Sequence, residues 1–192
     1  MFPYDSITQI LQIHSSKTFL IYDAENYLLS AAIGINDDWC RYMRNRLNNL
    51  FRTANASYII PHDISQFWLD TLPDLPQNLK WTPLLLQEIL NKYPTVGFKA
   101  ISTNVPKSRQ TSAVAFVPIN SQLMSFADVV TLRIEKNHGL PVRLSLENLR
   151  KELRAAGILT SNELLYTLPK ALADYRFAWS NDNQNVYVRA TF

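Results

Sequence analysis

The chain is poor in the residues that build several common kinds of site. It has one cysteine, Cys40, and three histidines in 192 residues. A single thiol closes no internal disulfide, and with so few imidazoles it builds no thiolate zinc centre. Four glycines leave no Gly-rich phosphate loop of the P-loop or dinucleotide type. Neither a Gly-x-Ser-x-Gly elbow nor paired histidines at His-x₃-His spacing occur. No apolar run approaches the roughly 20 residues that cross a bilayer, so no membrane partner is expected. Residues 1–13 lack a basic start and an extended apolar core, and so do not read as a secretory signal. A reduced, cytoplasmic setting is the expectation, and no cofactor is expected.

What is present is globular in character. Hydrophobic residues make up 47% and charged residues 18%, which excludes a mostly disordered chain. The length suits one domain, or one domain with a small appendage. The net charge of +3 hides an uneven distribution. Residues 1–40 carry five acids and one lysine, whereas residues 41–60 carry four arginines and no acid. Residues 99–150 carry seven basic groups and three acids. Two basic stretches in a nearly neutral protein point to a local anion-binding face.

Along the chain, extended and helical signals alternate. Residues 18–22 are apolar and β-branched and read as a buried strand. The following Asp23-Ala24-Glu25-Asn26 is either a turn leading into a second strand over 27–33 or a strand end presenting carboxylates. Asn36-Asp37-Asp38 then caps a helix. Cys40, Met43, Leu47, Leu50 and Phe51 form its apolar stripe, with Arg41, Arg44, Asn48 and Arg52 on another face. Residues 57–61 read as a strand. Thr82 and Pro83 open a helix over 84–93. Strands are expected over 98–104, 113–118 and 129–134, with a basic loop over 105–112 carrying Lys107 and Arg109. Residues 1–136 therefore predict an α/β, or α+β, domain.

The last third reads most clearly. Residues 138–144 make a turn and an extended piece. Ser145 caps a helix over 146–156, and Gly157 stops it. A second helix is expected over 164–175, kinked at Pro169. Two strands, 176–179 and 186–190, flank a polar turn. Extended piece, helix, helix and hairpin in this order resemble a winged helix over residues 137–192, and loosely the small OST-HTH (LOTUS) modules. In that family the second helix usually reads nucleic acid and the hairpin is the wing. Here the second helix carries few basic groups. The resemblance therefore implies phosphate contacts from Arg150 and Arg154 on the first helix and from Arg189 on the hairpin. Trp179 and Tyr187 are the rings placed to stack on a base or sugar.

Phe19-Leu20-Ile21-Tyr22-Asp23-Ala24-Glu25-Asn26 resembles the first strand of NYN-type ribonucleases, where a strand ends in an Asp at a Mg²⁺ site. That resemblance implies a metal held by Asp23 and Glu25, with Asp128 as the nearest later acid, and metal-assisted attack on a phosphodiester. The later acidic motif of that family is absent.

Taken together, the residues favour a non-catalytic nucleic-acid-binding protein. Its phosphate contacts would come from Arg41, Arg44, Arg52, Lys107, Arg109, Arg150, Arg154 and Arg189. The alternatives are a protein-interaction adaptor or assembly factor that docks a partner through the winged helix, and a Mg²⁺-dependent nuclease.

Overall fold

A computed structural model describes residues 18–23, 26–60, 72–103, 113–159 and 167–190. The described chain combines helices with small antiparallel sheets, an α+β architecture. Among the described residues, no helix is long and apolar enough to cross a membrane.

Strands β1 (Phe19–Ile21) and β2 (Tyr27–Leu29) pair antiparallel, Phe19 opposite Leu29 and Ile21 opposite Tyr27. The turn between them closes when the Asp23 carboxylate accepts the Asn26 backbone N–H at 2.9 Å. Of the two sequence readings of this stretch, the hairpin is the one observed. Its second strand is cut short by helix α1 (Ser30–Ile33). Helix α2 (Asp37–Ala54) starts where Asn36 Oδ1 accepts the Trp39 N–H, and it buries Cys40, Met43, Leu47, Leu50 and Phe51 as the periodicity predicts.

Helix α3 (Pro83–Lys92) holds β1 at both of its own ends. The Thr82 hydroxyl caps it by accepting from Leu85 N–H and donates to the Tyr22 carbonyl at 2.6 Å. At the far end, the Lys92 ammonium donates to the Phe19 carbonyl at 2.6 Å and pairs with Glu88 at 2.9 Å.

Strands β3 (Phe98–Ser102) and β4 (Ala113–Pro118) form a second antiparallel ribbon. The strand expected over 57–61 is reduced to a single bridge, Ile59 with Phe116. Residues 113–117 of β4 are all buried, because the ribbon has a core on each face. Phe98 and Phe116 join the cluster built with α2 and α3. Ile101, Ala115 and Val117 join a second cluster, with Val129, Val130 and Ile134 and the C-terminal elements.

One expectation is overturned. Residues 129–134 are not a strand but part of helix α4 (Phe126–His138). The β-branched Val129, Val130 and Thr131 suggest a strand, yet Ser125 and Asp128 form a reciprocal capping box that fixes a helix start. Phe126, Ala127, Val129, Val130 and Ile134 of this helix are buried in the core.

Strand β5 (Val142–Ser145), helix α5 (Leu146–Ala155), the short helix α6 (Leu168–Ala171) and strands β6 (Phe177–Trp179) and β7 (Asn185–Val188) follow among the described residues. Ser145 caps α5, and Gly157 follows its end at φ +67°. Pro169 sits in the first turn of α6 instead of kinking a longer described helix, and residues 160–166 lie outside the described residues. The three strands make one sheet in the order β5-β7-β6. The first N–H of α5 bonds to Gln184 O in the hairpin turn at 2.8 Å, fastening helix to sheet.

Candidate nucleic-acid interface

Helix α2 spends its arginines unequally. Arg44 is used within the fold: its guanidinium donates to the carbonyls of Thr95 and Val96, in the 3₁₀ turn Pro94–Val96. It lies so close to Gly97 that an added Cβ would sit 3.1 Å from Arg44 Nε. Gly97 also has φ +81°, a conformation that costs an L-residue roughly 1–2 kcal/mol. Gly97→Ala is therefore expected to lower stability by about 2 kcal/mol, read from urea denaturation midpoints. An unchanged midpoint would mean that the Arg44 contact does not hold the turn against α2.

Arg41, Arg46 and Arg52, exposed like Arg44, bond to side chains of α2 itself. Arg41 pairs with Asp38 one turn earlier, both side chains wide open to solvent. Such a pair contributes no more than about 1 kcal/mol and yields readily to a phosphate. Arg52 donates to Asn49 Oδ1 at 3.1 Å. At 100° per residue, Arg41, Asn45, Asn48 and Arg52 fall within about 60° of arc on the helix, a stripe about 16 Å long. All four are exposed. Arg and Asn are the side chains that reach phosphates and base edges. Asn45 was not singled out from the sequence, although the spacing of four, three and four residues places it in this stripe.

In the C-terminal unit, Leu146, Leu149 and Leu153 bury one face of α5. Arg154 is exposed and Arg150 half-buried, and each already has an interaction within the chain. Glu152 of the same helix is gathered by α4: Asn137 Nδ2 donates to it at 2.5 Å and His138 Nε2 lies at 2.8 Å. Trp179, expected to stack on a ligand, instead leans on the core, with its indole N–H 3.5 Å from the Leu172 carbonyl. Alternation along the hairpin explains this: Trp179 lies opposite buried Val186, on the inner face. The ring on the outer face is Tyr187, 44% exposed, opposite Arg143 on one side and Ala178 on the other. Arg189 is exposed two residues further on. Arg143 has no motif around it, and only strand pairing brings it to Tyr187.

The acids proposed for a metal are otherwise engaged where they are described. The Asp23 carboxylate accepts the Asn26 backbone N–H and the Asn26 side-chain amide. Asp128 accepts the Met124 and Ser125 N–H groups through Oδ2, each at 2.7 Å, and Arg176 through Oδ1 at 2.6 Å. Burial pushes the Asp128 carboxyl up, but these donors outweigh it and hold the group below the ordinary carboxylate value. Asp174 binds the same guanidinium at 2.7 and 2.9 Å, and that contact holds its carboxyl low. The two acids in turn raise the Arg176 guanidinium above its usual value. Among the described residues, no group of three or more His, Cys, Asp or Glu is placed to hold a metal ion. Glu25, Lys107 and Arg109 lie outside the described residues, as do residues 164–166 of the helix expected to read nucleic acid; of its described part, only Leu168–Ala171 is helical.

No protein-family model, curated protein or solved structure matches the chain.

Proposed function

We propose that the protein binds nucleic acid and does not cleave it. The observation that carries this reading is the exposed Arg41-Asn45-Asn48-Arg52 stripe on a helix whose opposite face is anchored in the core. A rigid helix carrying guanidinium and amide groups at this spacing suits backbone phosphates. We also read β5, α5, α6 and the β6–β7 hairpin as a winged-helix unit. The element order and the pairing of β7 with both β5 and β6 support it.

The test is a salt series with labelled duplex DNA, single-stranded DNA and RNA. Affinity should fall steeply with salt, with little sequence preference. Replacing Arg41 and Arg52 together by alanine should lower the slope of log K against log salt by about 1.5. An unchanged slope would remove α2 from the interface. Nucleic acid incubated with the protein and Mg²⁺ should stay intact; cleavage lost in Asp23→Asn would establish the nuclease instead.

A second reading has one observation of its own. Tyr27 and Leu29, 41% and 47% exposed, lie on the outer face of the β1–β2 hairpin opposite Ile21 and Phe19. An apolar face of this kind suits a protein partner. A stable complex with a protein, without affinity for any nucleic acid at low salt, would favour it.

A further inference from the structure

We infer that the outer face of the β5-β7-β6 sheet takes single-stranded nucleic acid, with one base laid on the Tyr187 ring between Arg143 and Arg189. The inference rests on the reading that the protein binds nucleic acid, and it names the kind of nucleic acid.

The register builds the platform. Leu144, Val186, Val188 and Phe177 turn inward to the core. Arg143 and Tyr187, directly opposed on neighbouring strands, are exposed on the other side. Their Cβ atoms are then about 5 Å apart. Arg189, two residues along from Tyr187, stands about 7 Å from it on the same face. On the β6 side the residue opposite Tyr187 is Ala178, whose side chain is only a methyl group, and Tyr187 is 44% exposed. The result is an exposed aromatic residue with one arginine across the ladder and a second two residues along the chain. The acid that feels the Arg143 charge is Asp182 in the hairpin turn. Its Oδ1 accepts the Ser180 hydroxyl at 2.5 Å and the Gln184 N–H at 2.9 Å.

The geometry selects unpaired bases. In a duplex each base is stacked between its neighbours and shows only its edge in a groove. A tyrosine lying on a sheet reaches no groove floor. An unpaired base has a free π-face, which stacks on an aromatic ring while flanking arginines take the phosphates.

The experiment compares short single-stranded DNA and RNA homopyrimidines with a DNA duplex of matched length, at one salt concentration and across a series. Both single strands should bind more tightly than the duplex. Tyr187→Ala should weaken single-strand binding roughly tenfold, the loss of one stacked base, with the salt slope unchanged. Tyr187→Phe, which keeps the ring, should bind like the parent. Arg143→Ala should lower the slope by about one. An RNA preference would add a 2′-hydroxyl contact to the same platform, and equal affinities would show that base and phosphate suffice; both support the inference. Because Tyr187 is exposed, its variants should melt with the parent, which separates lost contact from lost fold. If Tyr187→Ala changes nothing, or duplex binds as tightly as single strands, the platform is overturned while general binding stands. If no probe binds in a salt-dependent way, the underlying reading falls with it.

Discussion

Phe116→Ala should destabilise the protein by about 4 kcal/mol, the usual cost of emptying a buried phenylalanine site. For a chain of this length that lowers the melting midpoint by roughly 8–16 °C. Phe116 is 1% exposed and packs in the cluster that includes Phe98, Phe51 and the α3 leucines. Phe98 and Phe51 meet with ring centroids 5.2 Å apart. The backbone of Phe116 also exchanges two hydrogen bonds with Ile59, at 3.0 and 2.8 Å, so the strand cannot move to refill the space. Because β4 lines both hydrophobic clusters, the loss should be felt by both. Far- and near-ultraviolet circular dichroism should report one coincident transition, shifted down in the variant. Two separated transitions would show that the clusters unfold independently and that β4 does not couple them. Phe116→Leu, which keeps most of the apolar volume, should lose much less.

Removing the guanidinium of Arg176 is the second large effect. Arg176→Ala should cost about 3 kcal/mol, the lower end of what breaking a buried ion pair takes. The lower end applies because the Asp128 and Asp174 side chains keep 20% and 25% exposure, against 11% for Arg176. The loss should depend on pH in a definite direction. Both carboxyls are held below their ordinary value in the folded protein. Their contribution to stability is therefore fully present above about pH 4 and disappears as the pH falls through the lowered folded values. Urea midpoints of parent and variant should differ most at neutral pH and converge in acid, where neutral carboxyls no longer need a partner. A difference that stays constant down to low pH would mean that Arg176 acts by packing alone. Arg176→Lys keeps the charge but not the planar fork that grips Asp174 twice, and should recover only part of the loss.

What could be read from the sequence was local. The starts of α2, α3 and α5 were legible because each cap lies within three residues of the group it satisfies: Asn36 for Trp39, Thr82 for Leu85, Ser145 for Asn148. The C-terminal hairpin was legible from a polar turn between two apolar runs. Residues 129–134 suggest a strand by their β-branched side chains, whereas the Ser125–Asp128 capping box that starts the helix lies immediately before them. The candidate site was less legible because its partners are distant in sequence. Arg44 finds its acceptors 51 and 52 residues away, and Arg176 meets Asp128 across 48. Trp179 and Tyr187 could not be assigned to faces without the register, since one residue of slip exchanges inside for outside.

The place of β7 has a consequence for how the C-terminal sheet withstands damage. β7 comes last of the three strands along the chain but lies in the middle of the sheet, and β5 and β6 share no ladder with each other. Asn181, Asp182, Asn183 and Gln184, which lead into β7, are all exposed. An exposed hairpin tip is ordinarily where a chain is nicked or extended with least harm. Here, cleavage at that tip followed by loss of the released segment would remove the central strand, and both remaining strands would be left without a neighbour.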